Sequence, residues 1–297
     1  MEGPPGAAAG PVVAVLGRNA AEYAAAVRGA LARGATPALL SWRWGGRELA
    51  AAIRDLRPAL LLVDVASAPL AAAAAARLRR RSGAGPPLLP LGTHRLDAAG
   101  VAAAALGRLP PAGGAGGTGG VVCFTTGSTG RPKAAVLPAA AFELQARSKI
   151  AVIGYGPGDV HLHCAPLFHV GGLCAWFTAE LSGGRHVFMP RFEAGPALEL
   201  IRAHRVTALI AVPAMVDDLF LCLHARAGPA AAAAGCPTVR RVLVGGGALS
   251  AQQVGAAHRG VPGGRRPGTD AAASALRTSG SGRSRSSPAP RSSPRTA

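Results

Sequence analysis

The sequence has few cysteines, and none of them stands in the spacing of a disulfide framework or a zinc site. Their number, five, is odd, and no two are separated by only two residues. This spacing argues against paired disulfides and against a Cys-rich metal centre. It favours small, buried hydrophobic side chains in a reducing compartment. The five are Cys123, Cys164, Cys174, Cys222 and Cys236.

Acidic residues and lysines are also scarce, and the net charge of +18 comes almost entirely from arginine. Only Lys133 and Lys149 among the 32 basic residues are lysines. Arginine shares GC-rich codons with the abundant Ala, Gly and Pro, so part of this charge reflects nucleotide composition. Residues 259–297 concentrate the excess, with eight arginines against Asp270. A basic Ser/Pro-rich tail can bind polyanions without specificity, so we expect no specific nucleic-acid partner.

Long apolar runs are missing as well. Residues 160–179 contain no Asp, Glu, Lys or Arg, but three histidines and Pro166 interrupt them. This makes a poor membrane span. The first ten residues, MEGPPGAAAG, have neither the basic start nor the apolar centre of a secretory signal, and no Arg/Ser-rich transit peptide is visible. We therefore expect an intracellular protein without a membrane span; the oligomeric state stays open.

One stretch, VVCFTTGSTGRPK at residues 121–133, carries most of the chemistry. Four apolar residues are typical of a buried strand. Two glycines then let the backbone turn tightly, and the hydroxyls and backbone N–H groups around them can face phosphate oxygens. Lys133 adds a compact positive charge. The spacing is not that of a Walker A loop, since the glycines lie three residues apart and Ala134 follows the lysine. A Gly/Ser/Thr surface turn is the plainer alternative.

Elsewhere apolar runs alternate with helical patterns, which predicts an α/β fold of mainly parallel sheets covered by helices. Because ligands bind at the carboxyl ends of parallel strands, we expect the phosphate loop, Asp64 and Gly245–Gly247 to share one face. The predicted strands are 12–16, 60–63, 121–124, 160–164, 186–189, 207–212 and 241–244. The predicted helices are 19–31 (capped by Asn19), 47–56, 66–81, 139–150, 170–182, 195–204, 213–226 and 249–258.

After about residue 258 periodic apolar residues vanish, and Gly, Arg, Ser, Thr and Pro dominate. This composition is typical of disorder. We predict a folded domain over residues 11–258 and a disordered Arg/Ser/Pro-rich tail over residues 259–297.

The loop resembles the Thr-Ser-Gly-Thr-Thr-Gly-x-Pro-Lys-Gly signature of the AMP-forming adenylating enzymes, the acyl-CoA synthetase and luciferase superfamily. Residues 150–173, 186–219 and 239–250 resemble its plant-type o-succinylbenzoate–CoA ligase branch, as do residues 19–27 and 41–53 upstream. The resemblance covers roughly residues 11–258, which correspond to part of the large N-terminal domain of these enzymes.

This resemblance implies an ATP-dependent acid–thiol ligase that forms an acyl-adenylate and transfers the acyl group to CoA, with Mg²⁺ assisting. The acid would be o-succinylbenzoate, in phylloquinone or menaquinone synthesis, and the compartment a plastid or peroxisome. By resemblance His169 and Gly171 lie beside the acyl substrate; a packed histidine is the alternative for His169. Lys133 and His169 would be catalytic. The residues implied for the nucleotide are Thr125, Thr126, Gly127, Ser128, Thr129, Gly130, Lys133, Gly245, Gly246, Gly247 and Ala248.

The chain also departs from the family pattern. Ala134 replaces the glycine after the lysine, and Pro138-Ala139 replaces a Ser-His pair. The Tyr-Gly-x-Thr-Glu segment, the ribose-binding aspartate and the C-terminal lysine that the resemblance requires have no counterpart. We therefore expect this chain to be truncated and inactive by itself. A non-catalytic nucleotide- or acyl-binding remnant, or a mispredicted gene product, is the alternative.

Overall fold

The computed structural model describes residues 10–83, 85–91, 120–125, 131–234 and 236–247, which form an α/β fold with two sheets. The strands are β1 (Val12–Leu16), β2 (Thr36–Leu40), β3 (Leu60–Val63), β4 (Leu88–Pro90), β5 (Gly120–Thr125), β6 (Lys133–Pro138), β7 (Val160–His163), β8 (Arg185–Phe188), β9 (Ala208–Ala211) and β10 (Arg241–Val244). The α-helices are α1 (Ala21–Ala32), α2 (Gly46–Leu56), α3 (Ala68–Ser82), α4 (Ala139–Ile153), α5 (Val170–Leu181), α6 (Ala194–Ala203) and α7 (Pro213–Ala234).

The larger sheet has six strands in the order β4-β3-β1-β2-β5-β6, all parallel except β6. Strand β1, in the interior of this sheet, shows why helices cover both faces. Val13 and Val15 pack with α1, α4 and α5, whereas Ala14 and Leu16 pack with α2 and α3. Successive side chains of a strand point to opposite faces, and here both faces are apolar. The near-continuous hydrophobic run therefore indicates a doubly covered parallel strand.

The smaller sheet is entirely parallel, in the order β10-β9-β7-β8. Helices α6 and α7 pack on one face through a core that includes Leu162, Ile201 and Val216. Helix α5 contacts β7, β8 and β9 on the other face. Because Leu173 and Trp176 of α5 also belong to the core of the larger sheet, this helix lies between the two sheets.

Asp159 joins the amino ends of three strands in the smaller sheet. Its carboxylate accepts hydrogen bonds from Thr207 Oγ1 (2.8 Å), Gly156 N (2.9 Å), Arg241 Nη1 (2.8 Å) and Arg240 Nη2 (3.1 Å). Burial by itself raises the pKa of Asp159, but these hydrogen bonds and the two guanidinium groups outweigh it and lower the pKa. The ionised carboxylate therefore anchors the edge opposite the carboxyl ends of these strands.

The predicted α/β class with mainly parallel sheets is confirmed, and three strands appear that the pattern does not predict. These are β2, β4 and β6. In β2 every residue is buried although Pro37 lies within it; proline normally argues against an interior strand, so packing between β1 and β5 has overridden the local signal. None of the described helices is long and apolar enough to cross a bilayer.

The predicted site segments belong to two sheets, and their shared face stays a prediction. Thr125 and Asp64 end strands of the six-stranded sheet, whereas Gly245–Gly247 follow a strand of the four-stranded sheet. Asp64 accepts hydrogen bonds from the backbone N–H of Arg18 (2.8 Å) and of Ser67 (2.7 Å), so its side chain serves the local backbone. The predicted helix 249–258 and the tail lie outside the described residues, and the domain boundary stays a prediction.

Candidate functional site

The predicted phosphate loop connects two antiparallel strands at one edge of the larger sheet. Strand β5 ends at Thr125, and β6 begins at Lys133 and pairs with it in antiparallel register, with Thr125 opposite Lys133. Both residues are exposed. The predicted helix 139–150 is confirmed as α4, which begins at Ala139, but β6, which the sequence does not predict, lies between the loop and this helix. Of the predicted loop residues, Thr126, Gly127, Ser128, Thr129 and Gly130 lie outside the described residues.

His169 ends the turn that connects β7 to α5. It is the residue that precedes the first turn of α5, and its carbonyl accepts a hydrogen bond from Leu173 N at 2.9 Å. Its ring is exposed on one side and packs on Phe168 on the other, with 4.5 Å between ring centroids. This partial burial, together with the positive charge of Arg43, lowers the pKa of His169. The imidazole is therefore neutral at pH 7 and can donate or accept a hydrogen bond.

A single segment after β2 contacts both the phosphate hairpin and the His169 turn. The ring of Trp44 meets Phe124, the neighbour of Thr125, edge-on at 4.8 Å. The ring of Trp42 meets Phe168, the neighbour of His169, edge-on at 6.3 Å. These two contacts bring the two predicted functional segments to the same edge of the larger sheet. The sequence indicates the Trp-Arg-Trp segment as a family resemblance only, without this bridging position.

Arg43 of this segment and Arg18, which follows β1, both place positive charge beside Trp42. The guanidinium carbons of Arg18 and Arg43 lie 5.4 and 5.1 Å from the ring centroid of Trp42, and that of Arg43 lies 6.0 Å from the centroid of Phe168. Neither guanidinium forms an ion pair with a carboxylate within the described residues. Two arginines on aromatic rings form a surface that attracts anions. Sequence reasoning missed Arg18 entirely, because a lone arginine after a strand has no local signature.

Gly171, which is predicted to face the acyl substrate, is followed by Gly172, which has a clearer structural role. A Cβ on Gly171 would meet nothing within 4 Å, so this position opens to solvent. A Cβ on Gly172 would overlap the carbonyl group of Pro166 and lie 2.8 Å from Ala165 O. Gly172 therefore lets α5 pack directly against the turn before His169. The structure leaves room for a ligand beside Gly171 and requires a glycine at position 172.

The predicted glycine turn follows β10 on the smaller sheet. Gly246 has φ +82°, and a Cβ on Gly247 would lie 3.3 Å from Pro213 Cγ. All three glycines from Gly245 onward are exposed, and Ala248 lies outside the described residues. Strand β9 separates β10 from β7, so this turn lies two strands away from the one that carries His169.

The remaining histidines of this sheet, for which the sequence predicts no role, form a buried ladder. His163 Nε2 lies 2.9 Å from His186 Nδ1, and His186 Nε2 lies 3.3 Å from Glu180 Oε2. Burial lowers the pKa of His161 to about 4 and that of His163 well below its usual value. The part of the chain that the structure describes contains no group of three His, Cys, Asp or Glu side chains suited to a metal ion.

The two sheets covered by helices define an α/β protein. The sequence profile of the AMP-binding enzyme family matches residues 5–266, and the chain belongs to this family. It is 41% identical over 132 residues to a protein of Arabidopsis thaliana named 2-succinylbenzoate–CoA ligase, chloroplastic/peroxisomal, an alignment that covers 44% of this chain and 23% of the relative. It is 32% identical over 144 residues to an indoleacetate–CoA ligase of Aromatoleum aromaticum, covering 48% and 27%.

Solved structures share the fold. The N-terminal domain of FACL13 from Mycobacterium tuberculosis superposes with a TM-score of 0.68 at 24% identity, covering 85% of this chain and 61% of that one. The luciferase-like enzyme of the nonluminescent mealworm Zophobas morio superposes with a TM-score of 0.67 at 17% identity, covering 86% and 59%. The chain thus spans about six tenths of these two structures, and the two sequence alignments span about a quarter of the curated relatives.

Proposed function

We propose that this chain carries the nucleotide-phosphate loop and the acyl-side residues of an AMP-forming acid–CoA ligase. The observation that supports this most is the Trp42–Trp44 segment, which contacts the neighbours of both Thr125 and His169. An adenylating enzyme needs a phosphate-binding element and a carboxylate-binding element on one edge, because the two substrates must react with each other there.

The proposed reaction has two displacements. In the first, a carboxylate oxygen attacks the α-phosphorus of ATP, the bond to the bridging oxygen breaks, and pyrophosphate leaves. In the second, the thiol of CoA attacks the acyl carbon and AMP leaves with the bonding electrons. Both steps gain from positive charge and hydrogen-bond donors around the phosphoryl oxygens. The thiol proton passes to a base or to solvent.

Each predicted site residue has a proposed part in this chemistry. Thr125, the loop residues 126–130 and Lys133 would hold the β- and γ-phosphates. His169 would orient the reacting carboxylate, and the open space at Gly171 would admit the acyl group. The glycine turn 245–247 and Ala248 would approach the adenine and acyl groups. Mg²⁺, which the family resemblance implies, would add positive charge at the phosphoryl oxygens.

For the acid we propose o-succinylbenzoate, as a precursor of phylloquinone or menaquinone. The Arabidopsis relative and several Bacillus cereus relatives bear this substrate in their names, the latter at 29% identity over 126 residues. The compound has an aromatic ring and two carboxylates, of which one reacts and one stays anionic. The Arg18–Trp42–Arg43 surface matches that combination, because its guanidinium groups have no described carboxylate partner. A plastid or peroxisome is the corresponding compartment, since the Arabidopsis relative is named for both.

Stable acyl-adenylate mimics test this proposal. The purified chain would be titrated by calorimetry with acyl-sulfamoyl adenosines that carry o-succinylbenzoyl, indoleacetyl or 4-chlorobenzoyl groups. We expect the o-succinylbenzoyl compound to bind at least tenfold more tightly, and Arg43→Gln to remove most of that preference. Equal affinity for all three mimics would contradict o-succinylbenzoate as the substrate. If none of the mimics binds, the proposed adenylating function is wrong.

A second assay separates the enzyme from the alternative, a non-catalytic binding remnant. Pyrophosphate release would be measured with ATP, Mg²⁺, CoA and o-succinylbenzoate. We expect release below detection from the 297-residue polypeptide by itself, because it has no counterpart of the glutamate and lysine that the resemblance requires. Adding the missing family segments in a fusion should restore it. A fusion that binds the mimic but stays inactive would favour the remnant.

A further inference from the structure

Asn19 connects the two sheets through three hydrogen bonds of its side-chain amide. Its Nδ2 donates to the carbonyl oxygens of His163 (2.9 Å) and Ala165 (2.8 Å), and its Oδ1 accepts from Leu167 N (2.8 Å). The side chain is 3% exposed. It follows β1 of the larger sheet, whereas its three partners lie at the last residue of β7 in the smaller sheet and in the turn that follows.

This arrangement differs from the capping role that the sequence predicts. Ala20 occupies the capping position of α1, and its side chain forms no capping hydrogen bond. The Asn19 amide instead satisfies backbone groups that the turn buries between the sheets. A buried backbone group without a hydrogen-bond partner destabilises the folded state, because it loses its bond to water and gains none in the protein. Among side chains of this length, only asparagine offers two donors and an acceptor without charge.

The clamped turn leads directly into the candidate site. Leu167, the last residue that Asn19 bonds, is two positions before His169. His169 N donates to Pro166 O at 3.1 Å, so the turn closes on itself. On the far side, Gly172 of α5 packs against the Pro166 carbonyl without room for a Cβ. The turn is therefore held between Asn19 and Gly172, and His169 emerges from it toward Arg43 and Phe168.

We propose that Asn19 is a positioning residue, which holds the 163–169 turn against the larger sheet and thereby sets the place of the His169 imidazole beside the Trp42–Trp44 segment. The effect on ligand binding rests on the proposed role of His169. The positioning itself does not depend on that role, because it concerns only where the imidazole lies.

The test compares Asn19→Leu, which keeps the size and loses all three hydrogen bonds, with Thr178→Val as a matched control. Thr178 is also buried and donates to Cys174 O at 2.7 Å, so its hydrogen bond lies within α5 and not in the turn. Histidine carbons would be labelled for NMR and the His169 signal assigned with His169→Gln. We expect Asn19→Leu to shift that signal, raise the His169 pKa toward its usual value and speed amide exchange at 163–169. Thr178→Val should do none of these.

The outcomes separate positioning from simple stabilisation. An Asn19→Leu protein that is folded, less stable and unchanged at His169 would overturn the proposal. If Asn19→Leu does not fold, Asn19→Ser, which keeps a shorter donor and acceptor, replaces it with the same expectations. Affinity for the o-succinylbenzoyl mimic is measured in parallel. A moved His169 signal with unchanged affinity supports positioning by Asn19 and overturns the role of His169 in binding.

Discussion

At the scale of single residues, Lys133 is the group on which the proposed nucleotide site most depends. The chain has one other lysine, Lys149, which is half-buried and whose pKa is lowered by that burial. Lys133 is exposed, opens β6 and stands opposite Thr125 across the hairpin. The flexible side chain of Lys133 can place its ammonium group against a phosphate group bound at the glycine-rich loop.

Replacing Lys133 with alanine should weaken ATP binding about fivefold or more. The lost attraction between the ammonium group and the phosphates is of order 1 kcal/mol near a protein surface. Calorimetric titration with ATP measures it. Arg147→Ala, which removes an exposed cation paired with Glu143 on α4, is the matched control and should bind like the wild type. An ATP affinity of Lys133→Ala equal to that of the wild type would contradict the proposal that this loop binds phosphate.

The adjacent glycines of α5 allow a paired test of packing and ligand access. Gly172→Ala should destabilise the protein by about 1–3 kcal/mol, because the added methyl group overlaps the Pro166 carbonyl. Gly171→Ala should be neutral or slightly stabilising, since alanine favours a helix and the position is open. Urea unfolding measures both. If Gly171 borders the acyl group as proposed, Gly171→Ala should also weaken binding of the o-succinylbenzoyl mimic.

At the scale of elements, β7 and β8 bury a ladder of histidines beside α5. His161 and His163 are 5% and 3% exposed, and His186 continues the ladder to Glu180. His161 Nε2 and His163 Nδ1 are buried without a hydrogen-bond partner among the described residues. Charging either ring would place a cation in this interior, so the folded state holds both neutral.

The stability of the smaller sheet should therefore fall on acidification. Unfolded histidine has a pKa near 6.5, whereas the folded pKa of His161 is about 4 and that of His163 is lower than usual. Below pH 6.5 the unfolded chain binds more protons, so the free energy of unfolding decreases until the pH passes the folded pKa values. The slope is about 1.4 kcal/mol per pH unit for each histidine.

Urea midpoints between pH 7.5 and pH 4.5 check this slope. His161→Phe keeps an aromatic ring against Tyr155. It should reduce the slope by about 1.4 kcal/mol per pH unit, which corresponds to one proton. His204→Gln, at an exposed histidine after α6, should leave the slope as it is. A His161→Phe slope equal to that of the wild type would show that His161 is not a buried neutral group.

At the scale of the whole molecule, α5 and Asn19 unite the two sheets, and the carboxyl ends of strands from both sheets meet around the candidate site. The core of the larger sheet includes α5 residues, while the same helix covers the smaller sheet. The tail over 259–297 lies outside the described residues, and its composition predicts that it takes no part in this core.

Deletion of residues 259–297 should therefore leave the unfolding midpoint of the remaining chain within error of the full-length value. Limited proteolysis should remove the arginine-rich tail first. Salt-sensitive binding to DNA, if present, should disappear with the tail, because its net charge supplies the attraction. A lower midpoint after deletion would mean that the tail packs on the domain, against the predicted boundary.

How much the sequence predicts differs between elements. Helices α2, α5 and α6 and strands β1, β3, β7 and β10 follow from apolar periodicity and flanking glycines. Strand β6 does not, because Lys133–Pro138 is mostly exposed, and it becomes a strand through its antiparallel ladder with β5. At the site, a compact motif predicts the phosphate loop, but nothing local indicates that Gly172 rather than Gly171 is sterically required.

The sequence by itself determined the α/β class and the family and predicts the phosphate-type loop, because these depend on residue order within short segments. Only the tertiary structure decided which distant segments meet. The Asn19 amide lies 144 to 148 residues from the groups it bonds, and Trp42 and Trp44 join the neighbours of Thr125 and His169 through ring contacts between separate elements. Such contacts follow from the packing of two sheets around α5, and no local pattern of residues encodes them.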